Sequence, residues 1–443
     1  MNKISKTSEV FKMEVYMNST EIIKAINEDR YIKDFERLYG DDKDVLEAQK
    51  NRYIQAVKSF EELYPGSGSL SIFSAPGRTE VCGNHTDHQH GCVLAAAVNV
   101  DAIAVVSFHN DRVVRLQSVG YEQEYIDLTD LNIRADEEGT TGALIRGMVA
   151  QFADMGVEVG GFNAFVTSEV LSGSGLSSSA AFEVLVGNII DRHYNNGNAG
   201  AVKIAKMGQF AENKYFGKES GLMDQMVSSV GGFVFIDFKD TINPVIEKHE
   251  CNFDDGNLKL VITDTKGSHA DLTDDYISIP SEMKLVAAHF GKKVLRDVPE
   301  DKFYASLPEL RNTCTDRAIL RAAHYYGDNR RVGEEVEALE NKNYSEFLRL
   351  VRESGKSSAE LLQNLYSTKK PAEQAIPLAL MISKRILEDK GAYRVQGGGF
   401  AGTIQAFVPK ELVKEYIYEM NLLFGEGSCY ILNIRSEGGY QIV

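Results

Sequence analysis

The first 66 residues mix charged and apolar positions at helical spacing. Over 21–39 the apolar set is Ile22, Ile23, Ile26, Ile32, Phe35 and Leu38; over 44–64 it is Val45, Leu46, Tyr53, Val57, Phe60 and Leu63. Recurrence at three and four residues lays a stripe along one helix face, so the spacing predicts helices in both stretches. Pro65, Gly66, Ser67, Gly68 and Ser69 then crowd turn formers together and end the pattern. From residue 70 the texture changes. Residues 70–75 are a short strand-like run, 93–108 read as a buried strand or strand pair, and 113–117 and 122–128 alternate as strands do. Helix 142–156, strand 161–168, helix 180–190, helix 201–215 and strand 231–237 follow. A second half begins near 241. It has a strand at 258–264, mainly helical stretches at 276–290, 301–323, 331–340 and 344–366, and strands at 403–408 and 429–434. Strands and helices mix without a regular strand–helix–strand beat. The pattern predicts an α+β chain in three parts: a helical N-terminal extension over 1–66 and two lobes over 67–240 and 241–443. The 443 residues are enough for two or three domains of about 150 residues each.

Charge narrows the classes of partner. Lys plus Arg total 48 and Asp plus Glu 64, a formal net charge of -16, which argues against grip on a nucleic-acid backbone. Anionic small ligands stay open, because helix N-termini and a few placed cations bind them inside an acidic protein. The five cysteines, Cys82, Cys92, Cys251, Cys314 and Cys429, are odd in number and form no CxxC, against both a disulfide framework and a thiolate zinc site. The polar residues 1–10 lack the apolar core of a secretory leader. The most apolar run, 92–108, is interrupted by Asn99 and Asp101 and falls short of the ~20 residues of a spanning helix. The expectation is a cytoplasmic protein with no nucleic-acid or membrane partner.

Four segments could carry chemistry. The first is 171–181, with Gly173, Ser174, Gly175, Leu176, Ser177, Ser178 and Ser179 at its centre. Two glycines two apart let the backbone turn tightly against a ligand, the serines add hydroxyls, and the following apolar helix offers its unpaired N–H groups and positive dipole end. That predicts a phosphate cradle built mostly from backbone, where a bare Ser/Gly linker would not sit between a strand and an apolar helix. The triplet Gly355, Lys356, Ser357 is not the end of a Walker loop, since Leu350 stands at the first glycine position and no strand precedes it; it reads as a turn or a substrate-side loop. The second segment, 77–91, holds Arg78, Asn84, His85, Asp87, His88 and His90 between glycines. With no HExxH helix and no remote ligand set, it reads as a clamp for a polyol rather than a zinc or iron site; a polar turn with no ligand is the plain alternative. The third, 221–226, sets Asp224 among small and apolar residues. A carboxylate there needs a partner, and Arg78 is the candidate; an ionised aspartate could orient a hydroxyl and accept its proton, while a structural cap is the other reading. Upstream, Glu212 could hold a magnesium ion or simply face solvent. The fourth, 396–402, runs Gly397, Gly398, Gly399 into an apolar strand.

Together these segments resemble the GHMP kinases, the sugar and mevalonate kinase superfamily, and galactokinases most closely. Galactokinases carry a GRxNLIGEHTDYNxGxVLP-like signature, matched here by Gly77 and Arg78 through Gly91, Cys92, Val93 and Leu94. Their GxGLSSSAAxE loop is matched by Gly173 to Ala181, then Phe182 and Glu183. Their AENxxxG and GxMDQ segments are matched by Ala211, Glu212, Asn213 and Gly217, then by Gly221 to Gln225, and a GGGFGG-like loop by Gly397 to Gly402, with Ala401 for a glycine. The resemblance implies a two-lobed fold, with an N-terminal lobe like domain 2 of ribosomal protein S5 and a ferredoxin-like C-terminal lobe, here with the added helical extension. It implies phosphoryl transfer from ATP with Mg2+ to the anomeric hydroxyl of a sugar. Asp224 resembles the catalytic aspartate and Arg78 its supporting arginine; Gly173 to Ser178 would wrap the phosphates, and Ser179 and Glu212 resemble the magnesium ligands. Asn84, His85, Asp87 and Tyr276 fall at sugar-contact positions. Two departures bear on the sugar: galactokinases usually have Glu where Asn84 stands and Tyr where His88 stands. Around Tyr276 the family's basic residue is missing, with Ile279 or a neighbour in its place, and Asp274 and Asp275 add negative charge. An acidic sugar is therefore disfavoured. The expected substrate is a neutral monosaccharide, galactose first, then an N-acetylhexosamine, arabinose or another hexose. A non-catalytic sugar-sensing regulator is the remaining alternative, disfavoured because Asp224, Arg78 and the loop all survive. The chain is expected to be a monomer or weak homodimer.

Overall fold

The computed structural model describes residues 17–170, 175–267 and 272–443. It opens with helices α1 (Ser19–Asn27), α2 (Ile32–Tyr39) and α3 (Lys43–Leu63). The periodic stretch 21–39 is thus two helices rather than one. Asn18 starts α1 through a capping box with Glu21. The break follows at the apolar-free run Asn27, Glu28, Asp29, Arg30, where Asp29 takes the left-handed region at φ 56. Asp42 caps α3 by accepting from the Asp44 and Val45 N–H groups. Ile22, Ile26, Phe35, Leu38, Tyr53, Val57 and Phe60 of the stripe are buried, whereas Val45 and Leu63 are exposed.

That stripe packs on a sheet. Its strands are β1 (Ser71–Cys82), β2 (Cys92–Phe108), β3 (Val113–Ser118), β4 (Glu124–Asp127), β5 (Gly161–Ser168), β6 (Phe233–Asp237) and β7 (Val245–His249). The run expected as a strand or strand pair is one strand, β2, and it is the spine of the sheet. It pairs with β1 along most of its length, with β6 over its first half and with β5 over its second. Alternate residues of β2 explain its unbroken apolarity. Ala102, Ala104 and Val106 face helices α4 (Thr141–Asp154) and α5 (Ser178–Tyr194), while Ile103 and Val105 join the core of α1 to α3. A strand covered on both faces has no polar alternation to show. Helices α6 (Ala201–Ala211) and α7 (Met223–Val230) complete the first helical layer.

The rest of the chain builds β8 (Leu258–Asp264), α8 (Thr273–His289), α9 (Glu300–Ala305), α10 (Leu307–Thr313), α11 (Asp316–Glu340) and α12 (Tyr344–Ser357). Then come α13 (Ala375–Leu387), β9 (Ala392–Val395), β10 (Thr403–Pro409), α14 (Val413–Phe424), β11 (Cys429–Leu432) and β12 (Tyr440–Gln441). The order β11-β8-β10-β9 makes a second, four-stranded sheet, antiparallel throughout. Two strands from beyond residue 241 belong to the first sheet: β7 pairs with β6, and β12 pairs with β1. The stretch 301–323 is not one helix, since Ser306 separates α9 from α10, which carries Pro308 in its first turn, and α11 instead runs through the gap expected between 323 and 331. Helices α13 and α14 lie where the pattern reading assigns nothing. Gly355, Lys356 and Ser357 close α12, so they are neither turn nor loop; a Cβ on Gly355 would meet the Tyr393 carbonyl at 2.8 Å, which is why glycine lets α12 lie on β9. Among the described residues no helix is long and apolar enough to cross a membrane.

Candidate active site

Residues two apart on a strand leave the same face, so β1 delivers Arg78 and Glu80 together into a cleft between the two sheets. Arg78 meets Asp224, in the first turn of α7, with Nε donating to Oδ1 at 2.7 Å and Nη2 donating to Oδ2 at 2.8 Å. This fork-on-carboxylate geometry fixes both groups. Arg78 Nη1 also donates to the Gly175 carbonyl at 2.6 Å, and the Ser177 hydroxyl donates to Asp224 Oδ2 at 2.5 Å. Burial would push the Asp224 carboxyl up, but Arg78 and Ser177 outweigh it and hold it below the ordinary aspartate range. Asp224 is therefore ionised at neutral pH, and its side chain keeps 33% exposure toward the cleft.

Ser177 begins α5 with a left-handed φ of 60 and turns its side chain to Asp224 instead of capping the helix. The N-terminus of α5, with Ser178 and Ser179 in its first turn, is left without a side-chain cap beside the aspartate. Gly175 (φ 71) sits so close to β10 that a Cβ would lie 2.6 Å from Thr403 Oγ1. Gly173 and Ser174 lie outside the described residues, as do Leu171 and Ser172.

Behind Asp224, Ser179 donates to Glu212 Oε1 at 3.2 Å, and Lys218 Nζ donates to the same oxygen at 2.8 Å. Gln225 Nε2 donates at 2.9 Å to both Glu212 Oε2 and Glu183 Oε2. Burial and then the neighbouring Glu212 push the Glu183 carboxyl well above its usual range. Among the described residues no cluster of three or more His, Cys, Asp or Glu side chains is placed to hold a metal ion by itself.

The turn 83–91 forms the opposite wall, and α11 holds it. Asp328 accepts from the Gly83 and Asn84 N–H groups at 3.2 and 3.0 Å, and Asn329 Oδ1 accepts from the Cys92 N–H at 2.7 Å. His324 Nε2 donates to the Asn84 carbonyl at 2.9 Å. The Asn84 side chain is spent inside the protein. Its Nδ2 donates to Glu80 Oε1 and to the Gly397 carbonyl, and its Oδ1 accepts from Asn364 Nδ2. His85 Nε2 donates to the Gly398 carbonyl at 3.0 Å, and Asp87 sits beside Gly221, both on the cleft. Tyr276 is not on the cleft wall; its hydroxyl donates to the Gly399 carbonyl at 2.9 Å and its ring backs Gly398. Gly399 (φ 80) leaves no room for a side chain, since a Cβ would lie 2.2 Å from the Asn364 carbonyl.

One cleft thus gathers Arg78, Asp224, Glu212, Asn84, His85 and Asp87, with Ser177 and Ser179 at its edge and Tyr276 one layer back. The motif reading missed Glu80, Lys218, His324, Asp328, Asn364 and Arg394. Glu80 stands inside the quoted 77–91 segment and Lys218 directly after Gly217, and their charge was the available signal. The other four come from unpatterned helix, loop and strand, and only the tertiary fold brings them here.

Two family models match the chain. The galactokinase galactose-binding signature covers residues 58–108, and the N-terminal domain of GHMP kinases covers 143–232. Both matched segments are those of galactokinase-like GHMP kinases. Members of this family are ATP-dependent phosphotransferases acting on hydroxyl groups. Among solved structures, Lactococcus lactis galactokinase complexed with galactose is similar to this kinase at 23% identity and a TM-score of 0.73, covering 86% of this chain and 98% of that one. Methanococcus jannaschii mevalonate kinase gives 16% identity and a TM-score of 0.60 over 83% and 99% of the two chains. A D-glycero-D-manno-heptose 1-phosphate kinase from Bacteriodes thetaiotaomicron gives 16% identity and a TM-score of 0.55 over 84% and 98%. These structural likenesses establish the two-lobed fold of the kinase.

Proposed function

We propose that this kinase transfers the γ-phosphoryl group of ATP to the anomeric hydroxyl of a neutral monosaccharide, with galactose the first candidate. The observation that carries the reading is the Arg78–Asp224 pair, which faces the sugar-side turn 84–87 on one flank and touches Gly175 and Ser177 of the phosphate loop on the other. The galactose-binding signature and the galactose held by the Lactococcus lactis neighbour support galactose. Five unpaired thiols suit a reducing compartment such as the cytoplasm.

Phosphoryl transfer asks for positioning and charge stabilisation more than covalent chemistry. The open end of α5 and its serine-rich first turn bind the phosphate chain through N–H and hydroxyl donors. Asp224, kept ionised by Arg78, accepts a hydrogen bond from the sugar hydroxyl and takes its proton as the new O–P bond forms and the γ-phosphorus separates from the bridging oxygen, which leaves with ADP. Arg78 holds that carboxylate in aim and, by its tie to Gly175, holds the loop against it.

The residues present fit a magnesium ion. Glu212 is a buried carboxylate whose one ion pair among the described residues is with the exposed Lys218 ammonium, and Ser179 brings a hydroxyl oxygen to the same point. Mg2+ is commonly held by one or two such oxygens together with substrate phosphates. Ser179 and Glu212 would hold it, and when bound it would supply neutralisation of phosphate charge.

The test is ADP release with ATP and a panel of neutral sugars, the phosphorylated position read by phosphorus NMR. Asp224→Asn is expected to lower kcat by about 10²–10⁴-fold with ATP binding retained. Near-normal turnover in that variant, or phosphate on another carbon, would overturn the proposal.

A further inference from the structure

We propose that Glu80 is the carboxylate that accepts a hydroxyl of the sugar, and that Asn84 is its positioning residue rather than a sugar contact. This rests on the sugar-kinase reading above and specifies its acceptor side. Glu80 lines the cleft next to Arg78 and is only 5% exposed. Its Oε1 is clamped, accepting from Asn84 Nδ2 at 2.9 Å and from Arg394 Nη2 at 3.0 Å. Its Oε2 makes no hydrogen bond among the described residues. A carboxylate offers about four acceptor positions, and this one has two filled on one oxygen.

Asn84, Arg78 and Arg394, which surround Glu80, cannot fill the same role. Asn84 has both amide hydrogens engaged, on Glu80 and on the Gly397 carbonyl, and its Oδ1 already accepts from Asn364 at 2.7 Å. It is 1% exposed and has nothing left to donate. Arg78 spends its guanidinium on Asp224 and Gly175. Arg394 is fully buried behind Glu80, where Nη1 donates to the Val81 carbonyl. Asn84 and Arg394 therefore aim a buried carboxylate from behind and leave its free oxygen to the cleft. An O–H donor on a neutral sugar meets that oxygen as a charge-assisted bond, and an anionic sugar is repelled by it.

Calorimetry of sugar binding without ATP tests this. The probes are the neutral hexose bound most tightly by the wild type and its singly deoxygenated analogues; the proteins are wild type, Glu80→Gln, Asn84→Ala and the double variant. Glu80→Gln keeps the shape of the side chain and is expected to weaken the parent hexose about tenfold or more. In the wild type one deoxy analogue should suffer a similar loss, and that analogue alone should lose nothing further in Glu80→Gln, because both changes remove the same bond. Asn84→Ala should weaken the hexose in the wild-type background and have little added effect on Glu80→Gln. Unchanged affinity in Glu80→Gln would overturn the proposal, as would an equal loss for every analogue, the mark of a purely structural role. Thermal melts of each variant separate misfolding from lost contact, and Glu80→Asp, which keeps the charge and shortens its reach, should fall between wild type and Glu80→Gln. ADP release by the wild type is scored separately: an active enzyme indifferent to Glu80→Gln sinks this inference alone, binding without turnover sinks the kinase reading alone, and no sugar binding sinks both.

Discussion

His85 and His324 bracket the Asn84 backbone, and each gives its Nε2 proton to a carbonyl oxygen, Gly398 and Asn84 respectively. A carbonyl can only accept, so the proton sits on Nε2, and a neutral ring leaves Nδ1 as an acceptor. For His324 that acceptor meets the Ser357 hydroxyl at 2.9 Å. The setting opposes a second proton. Burial lowers the His324 value, and although Asp328 and the Asn84 carbonyl pull it back, Arg331 and Arg394 add to the lowering. Burial and His88 take His85 from 6.5 down to about 4, against the opposing pull of the Gly398 carbonyl and Asp87. The unfolded chain then binds more protons than the fold below pH 6.5, so stability is full above that value and falls as the medium is acidified toward 4. Each neutral histidine can contribute a slope of up to about 1.4 kcal/mol per pH unit in that window. Urea denaturation at pH 7.5, 6.5 and 5.5 should show declining stability, and His324→Gln should flatten the decline. A profile level from pH 7.5 to 5.5 would show that neither ring resists protonation.

Helices α2 and α3 are joined to the first sheet through one carboxylate, Asp101. Its Oδ1 accepts from Arg52 Nη1 at 2.7 Å; its Oδ2 accepts from the Tyr39 hydroxyl at 2.6 Å, from Arg435 Nη1 at 2.9 Å and from the Ser74 hydroxyl. Four elements and the C-terminal segment meet there, with Asp101 and Arg435 wholly buried. Burial alone would raise this carboxyl, but Arg52 and Arg435 hold it below the usual range. Its contribution is therefore present above pH 3.8 and is lost as pH falls through the lowered folded value. Asp101→Ala strands Arg435 in the interior and is expected to cost about 3–5 kcal/mol, read as a drop in urea midpoint at constant slope. A loss under about 1 kcal/mol would mean that the hub is solvated or replaceable. In the sequence, Asp101 is visible only as an interruption of an apolar run. Its partners lie at 39, 52, 74 and 435, and no spacing rule links them. The legible part of each element is what depends on near neighbours: the α3 stripe, the strand texture of β2, and the glycine–serine run before α5. The break inside 21–39 and the continuity of α11 depend on packing, and periodicity does not report them.

At the scale of the whole molecule, the candidate cleft is built from short motifs that chemistry makes conspicuous, while the parts that hold it together are anonymous in sequence. Arg78, Asp224, Glu212 and the 84–87 turn stand out because charge sits among glycines and small residues. Nothing in α11 announces that Asp328 and His324 will fix that turn, nor does the N-terminal extension announce that it is half of a sandwich. The extension was legible as helix but not in purpose, since its partner is the far face of a sheet whose near face carries the active-site helices. Removing residues 1–66 would uncover Ile72, Ile103, Val105 and Phe165, which are now 8% exposed or less. At about 1.5–3 kcal/mol per buried side chain, that exposure costs roughly 6–12 kcal/mol, comparable to the whole stability of an ordinary domain. It would also leave Asp101 without Tyr39 and Arg52. The truncated chain is therefore expected to aggregate or to melt far below the full chain, with no active soluble fraction of normal thermal stability. A soluble 67–443 fragment with wild-type melting temperature and ADP release would show the extension to be an accessory. Another cover for the Ile103–Val105 face would then be required, because a row of apolar side chains along the spine of a sheet does not stay open to water.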